Sequence, residues 1–170
     1  GNGAEEKWKT YVTAIVSHLK DDIKVWEIWN EPPNFAQKNK NPKDYADTVV
    51  NAYNAIKAVD PDAWSGISAK SAHIGYLDRV IRAGAKDHFD FITLHPYELL
   101  GMIYRHPGTE PVFMSIAPNV RKMLKKHMPD KVDMPIWFTE LGANAKHLGE
   151  EGQAVSLVKA YVLSIAQGID

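Results

Sequence analysis

Two glutamates, each closing an apolar run, are the residues of this sequence best placed to do chemistry. Val25-Trp26-Glu27-Ile28-Trp29-Asn30 leads into Glu31 and then Pro32 and Pro33, and Pro135-Ile136-Trp137-Phe138-Thr139 leads into Glu140, with Gly142 two residues on. A carboxylate is almost never fully buried without a partner, proline has no N–H for a sheet ladder, and glycine turns the chain. Each glutamate is therefore expected at the C-terminal lip of a strand. Two carboxyls facing one another across a cleft suit hydrolysis of a glycosidic bond: one protonates the departing oxygen, and the other attacks or activates water. Neither a Ser-His-Asp arrangement nor a metal cage accounts for both positions as well.

The elements that must hold these residues alternate along the chain. Ala4 to Lys20 carries a helical stripe at Trp8, Tyr11, Val12, Ile15 and Leu19, followed by a strand over Ile23 to Trp29. Asn41 as N-cap and Pro42 at the first helical position open a second helix, with Tyr45, Val49, Ala52, Ile56 and Val59 recurring at spacings of three and four. A short strand over Ala63 to Ser68 follows, then a helix over Tyr76 to Lys86 with Leu77, Val80, Ile81 and Gly84 inward. A strand over Phe89 to Leu94, a helix over Pro118 to Lys126, a strand over Pro135 to Thr139 and a helix over Gln153 to Gln167, with Val155, Val158, Val162 and Ile165 aligned, complete the series.

Continuous apolar strands alternating with helices are the pattern of a parallel α/β sheet covered on both faces. A doubly wound sheet and a (β/α)8 TIM barrel both fit the alternation. No glycine-rich phosphate loop follows any strand, whereas polar residues recur at several strand ends: Asn30 and Glu31, Ser68 to Ser71, His95 to Glu98, and Glu140. Sites assembled from many strand ends are barrel-like. A complete barrel takes about 250 residues, so the 170 residues are read as one unit, 1–170, forming an incomplete barrel. The remaining barrel strands of a parent chain are then its partner.

Composition narrows the partners further. A formal net charge of −1 without a basic stripe gives no footprint for nucleic acid. No apolar run approaches the roughly 18 residues of a membrane span, and the opening GNGAEEKWKT lacks the layout of a signal peptide. No cysteine is present, which excludes disulfides and thiolate metal sites and leaves the compartment open, export of the parent protein included. No cofactor and no metal is expected.

Trp29-Asn30-Glu31-Pro32, Leu94-His95-Pro96-Tyr97 and Thr139-Glu140-Leu141-Gly142, in this order and each at a strand end, resemble the motifs of the clan A (β/α)8 glycoside hydrolases. The pattern is most similar to family 39 and its relatives, with family 5 a near neighbour, and the resemblance spans nearly the whole chain. It implies that the chain covers about strands four to seven of the barrel. It also implies a retaining mechanism on β-linked oligo- or polysaccharide, with Glu31 as acid/base and Glu140 as nucleophile. Asn30 is then expected on the sugar's 2-hydroxyl, and Tyr97 and His95 beside the nucleophile, with Tyr97 donating to Glu140. Trp29 and Trp137 are the aromatic candidates for sugar contact. In a regular strand Asn30 and Glu31 face opposite ways, so one residue of Trp29-Asn30-Glu31 is expected to leave the pleat. The clan's sites also draw on the first three strands and on an aromatic platform after the eighth, segments that are not in this sequence. The chain alone is thus expected to hold both carboxylates without a complete subsite.

Plainer roles stand beside these. Glu31 alone reads equally well as a capping carboxylate, Glu140 as half of an ion pair, and His95 as a histidine bonded to a backbone carbonyl. Glu27 shares parity with Glu31 but lies deeper, which favours a structural role. Lys70, Ser71 and His73 sit in a loop that either lines a subsite or is simply surface. Trp26 and Trp64 read as packing. Two other functions compete: a carbohydrate-binding or scaffold barrel without turnover, and a metal-dependent barrel enzyme using Glu27, Glu31 and His95, for which no clustered histidines speak.

Overall fold

The computed structural model describes residues 2–33 and 41–170. Its centre is a four-stranded parallel sheet in sequence order: β1 (Val25–Ile28), β2 (Trp64–Lys70), β3 (Phe91–His95) and β4 (Ile136–Phe138). The register runs Glu27 beside Gly66, Gly66 beside Phe91, Lys70 beside His95 and Thr93 beside Trp137. β1 and β4 are the outer strands. At β4 the Ile136 amide donates to the Asp170 carboxylate at 3.1 Å, and the Asp170 amide donates back to the Ile136 carbonyl at 3.0 Å.

Seven α-helices accompany the strands among the described residues: α1 (Asn2–Leu19), α2 (Pro42–Val59), α3 (Ile74–Val80), α4 (Tyr97–Arg105), α5 (Glu110–Met114), α6 (Ile116–His127) and α7 (Ala145–Ala166). α2 forms as its sequence dictates. The Asn41 side chain accepts from the Lys43 amide at 3.1 Å, Pro42 occupies the first turn, and Tyr45, Ala46, Val49, Ala52 and Ile56 are buried. Ile67, Ala69, Ile92, Leu94 and Ile136 meet this helical layer from the sheet's outer face. The opposite face carries Glu27, Gly66, Phe91, Thr93, His95 and Trp137, by the alternation of the pleat. Among the described residues no helix is long and apolar enough to cross a membrane.

Three expectations need correction. Gly84 does not sit inward on a helix; it is exposed with φ 130, where the π-helical turn Ile81–Ala85 after α3 lets the chain leave. α4 and α5 occupy a stretch in which no helix was expected. α7 begins at an Asn144 cap, well before Gln153, and turns its small residues Gly152, Ser156, Ala160 and Ser164 inward. The aligned apolar residues lie on its other side, with Val158 64% and Ile165 74% exposed.

Candidate active site

After Ile28 the chain leaves the extended region. Trp29 (φ 68) and Glu31 (φ 49) both take the left-handed conformation that non-glycine residues rarely adopt, with Asn30 exposed between them. A regular pleat would put Glu27, Trp29 and Glu31 all on the inner face. The turn at Trp29 instead carries its indole toward α1, edge-on to Trp8 at 6.0 Å, while Glu31 still reaches the inner side. The expected departure from the pleat is thus made by torsion, without an inserted residue.

His95, the last residue of β3 and 1% exposed, is the centre around which the carboxylates gather. Its Nδ1 lies 3.3 Å from Glu31 Oε1 and 3.7 Å from Glu140 Oε2. Its Nε2 lies 3.1 Å from the Thr139 hydroxyl and 3.7 Å from Glu27 Oε1. Carboxylates only accept, so Nδ1–H is the donor toward Glu31, and Nε2 is left to accept from Thr139. Glu27 in turn accepts from the Thr93 hydroxyl at 2.8 Å. One oxygen of Glu31, one of Glu140 and a His95 ring nitrogen all lie within 4.8 Å of one another. Among the described residues these three also form the one cluster with ligand atoms close enough to hold a metal ion.

Tyr97 opens α4, and its hydroxyl donates to Glu140 Oε2 at 3.2 Å. Burial raises the Tyr97 pKa above its ordinary value, as do the hydrogen bond to Glu140 and the charges of Glu140 and Glu31. The phenol therefore keeps its proton through the neutral range and serves as a donor. Glu31, Glu140, His95 and Tyr97 come from three strand ends, as a cleft at the C-terminal lip of a parallel sheet requires.

The profile of glycosyl hydrolases family 39 matches residues 3–169. The chain belongs to glycosyl hydrolase family 39. No curated protein sequence matches it. Among solved structures, a monomeric β-xylosidase from Caulobacter crescentus CB15 superposes with a TM-score of 0.70 at 20% identity, over 94% of this chain and 36% of that one. Endo-glycoceramidase II from Rhodococcus sp. gives 0.66 at 18% identity, over 97% and 39%. A psychrophilic family 10 endo-β-1,4-xylanase gives 0.55 at 17%, over 95% and 53%. The chain therefore spans well under two thirds of these proteins, and its fold is part of their (β/α)8 barrel.

Within this family 39 chain the two tryptophan candidates lie apart from the carboxylates. Trp29 packs toward Trp8, as described. Trp137 is inward but two residues below Thr139, where it tilts against Phe91 at 4.4 Å and stacks on Trp64 at 6.3 Å. Trp64 opens β2, so this stack belongs to the far end of the sheet. Sequence reasoning missed three supporting hydroxyls. Thr93 is two residues before His95 on the same strand face, and Thr139 adjoins Glu140, so spacing could have found both. Tyr45 had no such signal: from α2 its hydroxyl donates to the Ile28 carbonyl at 2.7 Å and accepts from the Ser68 amide at 2.9 Å, tying β1 to β2 just before the left-handed turn.

Proposed function

We propose that this family 39 unit carries the catalytic pair of a retaining glycoside hydrolase acting on β-linked oligo- or polysaccharides. Glu31, beside the His95 Nδ1–H, holds the proton given to the departing glycosidic oxygen. Glu140, held by Tyr97, attacks the anomeric carbon to form a glycosyl ester; Glu31 then takes a proton from water, which releases the sugar and restores both carboxyls. Asn30, exposed between the left-handed residues, offers a donor and an acceptor to a ring hydroxyl.

The observation that carries the reading is the approach of the two carboxyls, with oxygens within 4.8 Å. This is close to the about 5–5.5 Å of retaining pairs and well short of the about 6.5–9.5 Å that admits an inverting water. The β-linkage rests on the strand-end motifs.

The test uses the full-length protein and an activated aryl β-glycoside with added azide. Glu31→Ala is expected to lose most turnover and to yield a glycosyl azide of retained configuration, because Glu140 still forms the ester. Glu140→Ala is expected to yield the inverted azide. Near-normal rates in both variants, or the two products exchanged, would overturn the assignment. Turnover of the unaltered protein in a chelator separates this chemistry from a metal-dependent one at the same cluster.

A further inference from the structure

Lys70 is the last residue of β2 and the register partner of His95 on β3. Register partners in a parallel ladder present their side chains to the same face, and on that face His95 meets both Glu31 and Glu140. The Lys70 amide donates to the Pro32 carbonyl at 3.1 Å, so its backbone is tied to the residue that follows Glu31. The side chain is half-buried, and its ammonium forms no hydrogen bond or ion pair among the described residues.

An acceptor stands opposite. Ser71, buried with φ 53, makes an antiparallel bridge to His95, whose amide donates to the Ser71 carbonyl at 3.3 Å. This turn carries the chain toward α4, where Glu98 is exposed in the first turn. Burial works to raise the Glu98 pKa, but the Ser71 hydroxyl, the helix's own amide and the charges of Lys70 and His73 together hold it below its ordinary value. Lys70 and Glu98 therefore sense one another without pairing directly.

The sheet order says which half of a substrate meets them. The acid must stand at the departing oxygen, and Glu31 follows β1, the direct neighbour of β2, whereas Glu140 follows β4 at the opposite side of the sheet. We propose that Lys70 and Glu98 form the leaving-group subsite and select a leaving group that is itself a hydroxylated sugar. An ammonium has only donors and a carboxylate only acceptors, so the two read neighbouring hydroxyls of a neutral ring from opposite sides. The proposal rests on the assignment of Glu31 as the acid.

A panel of nitrophenyl β-glycosides first finds the sugar that the full-length protein accepts, and the β-linked disaccharide with that sugar at its non-reducing end then serves as the second substrate. The readout is the ratio of kcat/KM for the disaccharide to that for the nitrophenyl glycoside, whose leaving group has no ring hydroxyls. Loss of one hydrogen bond to a charged group predicts a fall in this ratio of about 10-fold to 100-fold for Lys70→Met. A fall in the same direction is expected for Glu98→Gln, and recovery toward the starting ratio for Lys70→Arg. A ratio unchanged in both Lys70→Met and Glu98→Gln overturns the subsite. Should Lys70→Met not fold, the exposed Glu98→Gln decides alone. An unaltered protein that cleaves no glycoside of the panel overturns the hydrolase assignment itself, a result distinct from an unchanged ratio.

Discussion

The Tyr97 hydroxyl donates to Glu140 Oε2 at 3.2 Å, joining the end of β3 to the end of β4. Its raised pKa keeps that proton in place as the medium turns mildly alkaline. Tyr97→Phe removes the donor while keeping the ring, and a hydrogen bond to a charged group is worth about 1.5–3 kcal/mol. In the full-length protein kcat is expected to fall about 10-fold to 100-fold, with the fold intact by circular dichroism. An unchanged kcat would mean that Glu140 is held by other groups.

Gly66 faces Phe91 so closely that a Cβ built there would lie 2.1 Å from the ring's Cε2. That ring is itself held against Trp137 and, through it, Trp64, so it has nowhere to retreat. Gly66→Ala is expected to destabilise the protein by about 1–3 kcal/mol through overpacking. Chemical denaturation measures this, and a paired Phe91→Leu change should recover part of the loss.

Asp78 joins α3 to α6. Its Oδ1 accepts from His127 at 2.8 Å and Lys126 at 3.1 Å, and its Oδ2 meets Arg82 at 3.0 Å. The His127 hydrogen bond is the main reason its pKa falls to about 2; burial opposes the shift, and the Lys126 and Arg82 charges add to it. A carboxyl depressed on folding contributes stability that is present above its unfolded value of about 3.9 and is lost as pH falls through the folded value. Asp78→Asn is expected to cost about 1 kcal/mol at neutral pH, reduced by solvent screening. The gap from the unaltered protein should close between about pH 4 and pH 2. Thermal melts at several pH values check it, and a gap that persists at pH 2 would refute the linkage.

The sheet and its two carboxylates were legible because continuous apolar runs cut off by Pro32 or Gly142 leave few alternatives. Tyr97 and His95 were legible through the same strand-end logic. α4 and α5 were not, since Gly101, Pro107, Gly108 and Pro111 interrupt the periodicity on which a helix is recognised. For α7, Val155, Val158, Val162 and Ile165 do share a face, but periodicity cannot say which face meets the sheet; here close approach selected Gly152, Ser156 and Ala160. Trp29 and Trp137 misled because a tryptophan at a strand end suggests a sugar platform. One was removed by a backbone torsion and the other by its depth along the strand, and neither is written in residue type.

Of the four described non-glycine residues with positive φ, Trp29, Glu31 and Ser71 stand at this mouth. A left-handed backbone costs an ordinary residue about 1–2 kcal/mol, and glycine almost nothing. Drift guided by stability alone would replace Glu31 with glycine or asparagine, and only the demand for a proton donor opposes it. Descendants released from that demand should record the release at position 31 first, while Glu140, in ordinary backbone, lingers. A lineage that has stopped cleaving sugars would then be recognisable as one whose first glutamate has gone and whose second has stayed.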